Sequence, residues 1–227
     1  MMSRENLLRR TVAEGLGTAF LLAAVVGSGI MGERLAGGNV AVALLANTIA
    51  TGATLVTLIL ALGPLSGAHF NPAVTLADAS QGGLPWREVP GYLAAQVAGA
   101  FAGVAAAHLM FGEPLFFASR HQRSGGAQLF SEWVATFGLL SVILACARLR
   151  PSGAAWAVGA YITGAYWFTA STSFANPAVT LARAASDTFA GIRPADTPGF
   201  IAAQLAGAAA ATVLFRWLIP DGKHRET

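Results

Sequence analysis

Apolar residues run in long blocks along this chain, separated by short polar breaks. A helix that crosses a bilayer takes roughly 20 residues, and six blocks reach that length. They fall near 11–31, 38–61, 89–111, 129–148, 153–172 and 198–218, each rich in Ala, Leu, Val and Gly and almost free of charge. Two shorter segments, near 71–79 and 176–186, open on the pairs Asn71-Pro72 and Asn176-Pro177. Asn caps a helix start well, and Pro suits the first helical position. Neither segment can cross a bilayer. The pattern predicts an all-α polytopic membrane protein whose two short segments are surface helices or re-entrant half-helices.

Composition sharpens this picture. Of the 227 residues, 55% are hydrophobic and only 11% charged, where soluble domains carry about 25% charged residues. That excludes disorder, a coiled coil and a disulfide scaffold, and argues against a soluble enzyme. The formal charge is +3, and no Lys/Arg run is long enough for nucleic acid to be a partner. Cys146, the single cysteine, sits in an apolar block and reads as a small buried hydrophobe. Arg4, Arg9 and Arg10 precede the first block as in a signal peptide, but the block has full spanning length and reads as a retained helix.

With six spans, both termini share one face of the membrane. Arg4, Arg9, Arg10, Arg87, Arg148, Arg150, Arg216, Lys223 and Arg225 fall on that face. Arg34, Arg120, Arg123, Arg183 and Arg193 fall on the other. The bias predicts cytoplasmic termini in the cell inner (plasma) membrane.

The chain also repeats itself. His69-Phe70-Asn71-Pro72-Ala73-Val74-Thr75-Leu76 recurs as Phe174-Ala175-Asn176-Pro177-Ala178-Val179-Thr180-Leu181. The run from Gly91 to Ala100, with Gln96 inside it, recurs from Gly199 to Ala208 with Gln204. Glu14 near the start of the first block matches Glu132 near the start of the fourth. One domain over 1–227, built from repeats 8–115 and 126–220, accounts for all three. An odd number of spans per repeat forces opposite orientations, hence an inverted repeat with a pseudo-two-fold axis in the membrane plane.

Inversion brings the two Asn-Pro starts together near the midplane. Irregular backbone is tolerated there only where it lines a cavity or is buried in protein. The positive helix ends would oppose a proton or cation. The carboxamides of Asn71 and Asn176 would donate to a passing neutral oxygen.

These residues resemble the aquaporin and glycerol-channel (major intrinsic protein) family along essentially the whole chain. The resemblance rests on Ser66 to Thr75, on the paired boxes Asn71-Pro72-Ala73 and Asn176-Pro177-Ala178, on Glu14 and Glu132, and on Gln96 and Gln204. It implies a passive channel, usually a homotetramer, with one pore per subunit and small neutral solutes as its partners in a lipid bilayer. Carried over by motif spacing, the selectivity filter is Thr51, Gly164, Ser173 and Val179. Most of the family places Arg where this chain has Val179. Arg183 lies about two turns along the half-helix and is not expected to replace it. The expected filter is therefore wide and rather apolar. Val179, with Asp187 to Ile192 downstream, further resembles a bacterial subgroup associated with arsenic resistance. That implies arsenious acid as a solute beside water and glycerol.

Glu14, Glu132, Gln96 and Gln204 are expected to hold the re-entrant loops, and His69 to line the cytoplasmic vestibule. Trp167 is placed against the pore wall, and the 119–128 connection receives no chemistry. No metal site, cofactor or catalytic constellation is expected. A plain water or glycerol channel and a proton-coupled transporter are the competing readings. The second is disfavoured because the central pair is two neutral Asn side chains.

Overall fold

A computed structural model describes residues 4–219. Lys223 and Arg225, counted in the charge bias, lie outside the described residues. The helices are α1 (Arg4–Leu35), α2 (Val40–Ser66), α3 (Pro72–Ser80), α4 (Val89–Phe111), α5 (Gly126–Leu149), α6 (Ala154–Phe168), α7 (Pro177–Arg183) and α8 (Thr197–Leu218). The short α3 and α7 are the two Asn-Pro segments. Each has Pro at its first position, and Asn71 or Asn176 as its N-cap.

Five of the described helices are long and apolar enough to cross a membrane. The fifth block differs from its expected span of 153–172, because α6 holds only 15 residues. At 1.5 Å per residue it rises about 23 Å, short of the roughly 30 Å hydrocarbon core. A 3₁₀ turn at Pro151–Gly153 leads into it. It stops where Thr169 turns extended, at φ −110° and ψ 138°. The small polar run Thr169-Ala170-Ser171-Thr172 then returns to α7 as loop rather than helix.

The packing repeats between halves. α1 packs on α2 and α4, and α5 packs on α6 and α8. α3 and α7 each touch α4 or α8 and meet one another. Glycine permits the closest approaches: Gly99 lies on the backbone of Gly15, Gly103 on that of Ala19, and Gly207 on that of Trp133. A Cβ at any of these positions would collide with backbone, as at small-residue contacts between membrane helices.

Large apolar side chains such as Ile49, Leu60 and Val213 face outward. Trp86, Trp156 and Trp217 are exposed near helix ends, where an interfacial aromatic belt would sit. Trp167 is also exposed and lies outside the cavity wall, contrary to its expected place. The interior holds Glu14, Gln96, Glu132 and Gln204, all fully buried.

Candidate functional site

Two loops enter the interior, one before each half-helix. Each carries residues in left-handed backbone: Ala68 and Phe70 in the first, and Thr172, Ser173 and Ala175 in the second, at φ between 49° and 62°. For residues with a side chain such conformations cost of order 1–3 kcal/mol each and persist only when the surroundings enforce them. Carboxylates supply that enforcement. Glu14 accepts from the backbone N–H of His69 at 2.9 Å and of Phe70 at 2.7 Å. It also accepts from the Ser66 hydroxyl at 2.7 Å and the Gln96 amide at 2.8 Å. Glu132 accepts from the N–H of Phe174 and of Ala175, both at 2.9 Å, and from the Gln204 amide at 2.6 Å. Gln96 also donates to Thr75 Oγ1, and Gln204 to Thr180 Oγ1. Each carboxylate thus fixes one loop to one half-helix.

The Asn side chains close the centre reciprocally. Asn71 Nδ2 donates to the Ala175 carbonyl and Asn176 Nδ2 to the Phe70 carbonyl, each at 2.8 Å. Such an exchange is what a two-fold axis between equivalent segments produces. Asn71 Oδ1 accepts from Ala73 N–H, and Asn176 Oδ1 from Ala178 and Val179 N–H. Each carboxamide retains one further N–H for a molecule beside it.

A cavity of about 530 Å³ runs past both Asn residues. Its wall is mainly apolar, with Leu55, Val158 and Ile162 among its side chains. The half-helices contribute matching stripes. Asn71, Val74 and Asp78 line it from α3, and Asn176, Val179 and Arg183 from α7. The spacing i, i+3, i+7 is one helical face. His69 also lies in the wall, with Nδ1 at 3.1 Å from Thr75 Oγ1 and Nε2 at 3.7 Å from Asp78 Oδ2.

Of the four positions assigned by motif spacing, Thr51, Ser173 and Val179 lie in the cavity wall and Gly164 does not. Gly164 is exposed on the outer face of α6, with open space where a Cβ would stand. The face of α6 that meets the cavity is Val158, Ile162 and Tyr166, again four residues apart. Buried Tyr166 donates its hydroxyl to Thr51 Oγ1 at 3.3 Å. The assigned glycine is thus replaced by a phenol, and this end of the cavity is not wholly apolar. The Ser173 hydroxyl beside it is buried and has no hydrogen-bond partner among the described residues.

Two arginines complete this end. The Arg183 guanidinium lies flat on Phe174, with Cζ 3.3 Å from the ring centroid, and its Nε donates to the Ala190 carbonyl. On the same ring, Arg123 Cζ is 5.0 Å from the centroid. Arg123 Nε donates to Gly191 O at 2.8 Å and Nη1 to Ser171 O at 3.1 Å. Burial lowers Arg123 to about 10, so it keeps its charge at neutral pH. The connection between halves, to which the sequence assigns no chemistry, clamps the second loop through Arg123. It is pinned by Ser119 N–H to Ala184 O, Arg120 N–H to Asp187 Oδ1 and Arg123 N–H to Asp196 Oδ2. Among the described residues no group of three His, Cys, Asp or Glu gathers to hold a metal ion.

Comparison with known proteins accords with this architecture. The family model for "Major intrinsic protein" matches residues 1–152. "Aquaglyceroporin AqpS" of Rhizobium meliloti (strain 1021) is 59% identical over 98% of this chain and 95% of its own length. "Aquaporin NIP1-3" of Oryza sativa subsp. japonica is 37% identical over 76% of this chain and 62% of its own. The X-ray structure of the aquaglyceroporin from Plasmodium falciparum superposes with a TM-score of 0.68 at 22% identity, covering 93% of this chain and 95% of that one. At that identity the superposition speaks for the fold.

Proposed function

The chain belongs to the major intrinsic protein family, and on that premise we propose that it is a passive channel for small uncharged solutes. Water and glycerol-type molecules pass, and arsenious acid is a physiological solute. One observation carries the reading: two half-helices present Asn71 and Asn176 side by side in a mainly apolar cavity. A chain of hydroxylated molecules finds donors at the centre and a mainly apolar wall with a few polar groups beside it. Conduction requires this balance of entry and release.

The position directly after the second Asn-Pro-Ala is Val179 rather than a charged residue, so the wall there has an apolar side. The same wall holds the paired hydroxyls of Thr51 and Tyr166 and the free hydroxyl of Ser173. Such a lining suits a compact solute carrying several hydroxyls on an uncharged centre. Glycerol and neutral arsenious acid share that chemistry. The whole of 1–227 acts as one channel domain with repeats 8–115 and 126–220. It assembles as a homotetramer in the plasma membrane with both termini cytoplasmic. His69 lines the cytoplasmic vestibule, and no catalytic step, cofactor or coupling ion is involved.

The test is arsenite flux into liposomes holding the purified protein, with water flux measured in the same vesicles. Non-saturating, protein-dependent arsenite entry is expected. Accelerated water flux without arsenite entry would leave a water channel and remove the metalloid role. A steady proton current coupled to solute would replace the channel by a transporter.

A further inference from the structure

The chain has no basic residue directly after Asn176-Pro177-Ala178, yet a guanidinium reaches the cavity. We propose that Arg183 is the cation-excluding and donor residue of the α7 end of the pore, a role that rests on the channel reading above. Three features of Arg183 carry it. It occupies the lumen-facing stripe of α7, one turn beyond Val179. It is only 2% exposed, so its charge acts where solvent screening is weak. No carboxylate lies within ion-pair distance of it among the described residues, and its Nη1 and Nη2 find no acceptor there.

The geometry holds this charge in place. Phe174 supports the guanidinium plane from below, and Arg123 lies over the same ring. The Ala190 carbonyl takes Nε. That leaves the two terminal nitrogens without an acceptor among the described residues, on a side chain that lines the same wall as the free Ser173 hydroxyl. A neutral hydroxylated solute meets donors and a fixed positive charge, and a proton or alkali cation meets repulsion.

The alternative source of exclusion is the pair of half-helix ends. Their first-turn amides are already engaged by Asn71 and Asn176 Oδ1. The centre then offers one remaining N–H per carboxamide together with the partial positive charge of the two short helix ends. A full formal charge at 183 adds a larger barrier at the α7 end than these partial charges supply. Its outward displacement by one turn also leaves the passage beside Val179 unobstructed by a guanidinium.

The experiment compares proton leak per pore in liposomes, with water flux in the same vesicles counting the pores. Arg183→Gln is expected to raise the ratio of proton or potassium leak to water flux by about tenfold or more. Arg183→Lys is expected to keep the ratio near wild type, because the charge remains. A water-conducting Arg183→Gln protein as tight as wild type overturns the proposal while leaving the channel reading intact. Wild-type vesicles that speed neither water nor glycerol overturn the channel reading itself. If Arg183→Gln does not assemble, Arg183→Met carries the same test, since its unbranched stem still covers Phe174. Loss of assembly in the Gln, Met and Lys variants alike would make Arg183 a packing residue and overturn the proposal.

Discussion

The two ends of the cavity are built on one backbone plan and finished with different charged side chains, Asp78 and the Glu88-paired Arg10 at one end and Arg183 at the other. Ala68 and Phe70 share their left-handed backbone with Ser173 and Ala175, and Asn71 and Asn176 cap their helices at nearly the same angles. From each Asn, the lumen face continues as Val and then a charged residue, Asp78 on α3 and Arg183 on α7. The residue two before each Asn completes the contrast. His69 stands beside Asp78, whereas Phe174 lies under Arg183. What the repeat conserves in this chain is the backbone hydrogen bonding that places the Asn pair. What it varies is the side-chain chemistry at the two mouths. The buried support is thus shared, and the solute-facing groups carry the difference between the ends.

The strongest way to break the comparison is to remove the shared support. Glu14 and Glu132 are both fully buried. Replacing either by Ala strands several buried donors, at a cost of about 3–5 kcal/mol. Glu14→Ala leaves four donors without their acceptor and Glu132→Ala three. Both variants are expected to lose folded protein, Glu14→Ala more completely. Recovery of detergent-stable protein after heating measures it. Equal wild-type stability in either would show that the loops hold their conformation without a carboxylate.

Helix contact is the next shared feature. Gly99 and Gly207 are repeat equivalents, each pressed on the backbone of its neighbour, Gly15 or Trp133. Gly99→Val and Gly207→Val are each expected to destabilise by about 1–3 kcal/mol through overpacking. Thermal unfolding in detergent checks this, and a large asymmetry between the two would mean that one helix pair can open without disturbing the cavity.

These shared features were legible in the sequence because they depend on spacing. The Asn-Pro starts, the Glu and Gln pairs and the small-residue faces recur at fixed offsets, and only an inverted arrangement satisfies them together. Gly164 was misplaced because counting back from Asn176 assumes a fixed length for the return loop. Here α6 ends at Phe168, and its lumen face is set by helical phase through Val158, Ile162 and Tyr166. Position 164 is two residues from both Ile162 and Tyr166, which puts it across the helix. Arg183 posed the converse difficulty. Seven residues are nearly two full turns, so distance along α7 hides its return to the face of Asn176. The stack on Phe174 and the clamp by Arg123 join segments far apart in sequence, and no local pattern announces them.

At the α7 end, Val179 tests the relation between side-chain bulk and solute size. Val179→Arg adds a guanidinium one turn inward of Arg183, in the cavity wall that also holds the Thr51–Tyr166 hydroxyl pair. Glycerol and arsenite flux are expected to fall about tenfold or more, and water flux only about two- to threefold. Stopped-flow measurements on one vesicle preparation give the ratio. Equal loss of all three would place the narrowest point elsewhere or indicate a folding defect.

The smallest effect is expected where the charge is least buried. The Asp78 side chain is 39% exposed and lies 3.7 Å from His69 Nε2. A charge open to solvent is screened, so its field in the lumen is weaker than that of buried Arg183. Asp78→Asn is therefore expected to change the proton-leak-to-water ratio by less than about twofold. The same vesicle assay used for Arg183→Gln reads it directly. A leak that changes as much for Asp78→Asn as for Arg183→Gln would mean that the two mouths contribute equally to ion exclusion. Asp78 and Arg183, at equivalent positions of the two half-helices, would then act as a matched pair, rather than Arg183 acting as one buried barrier facing an open vestibule.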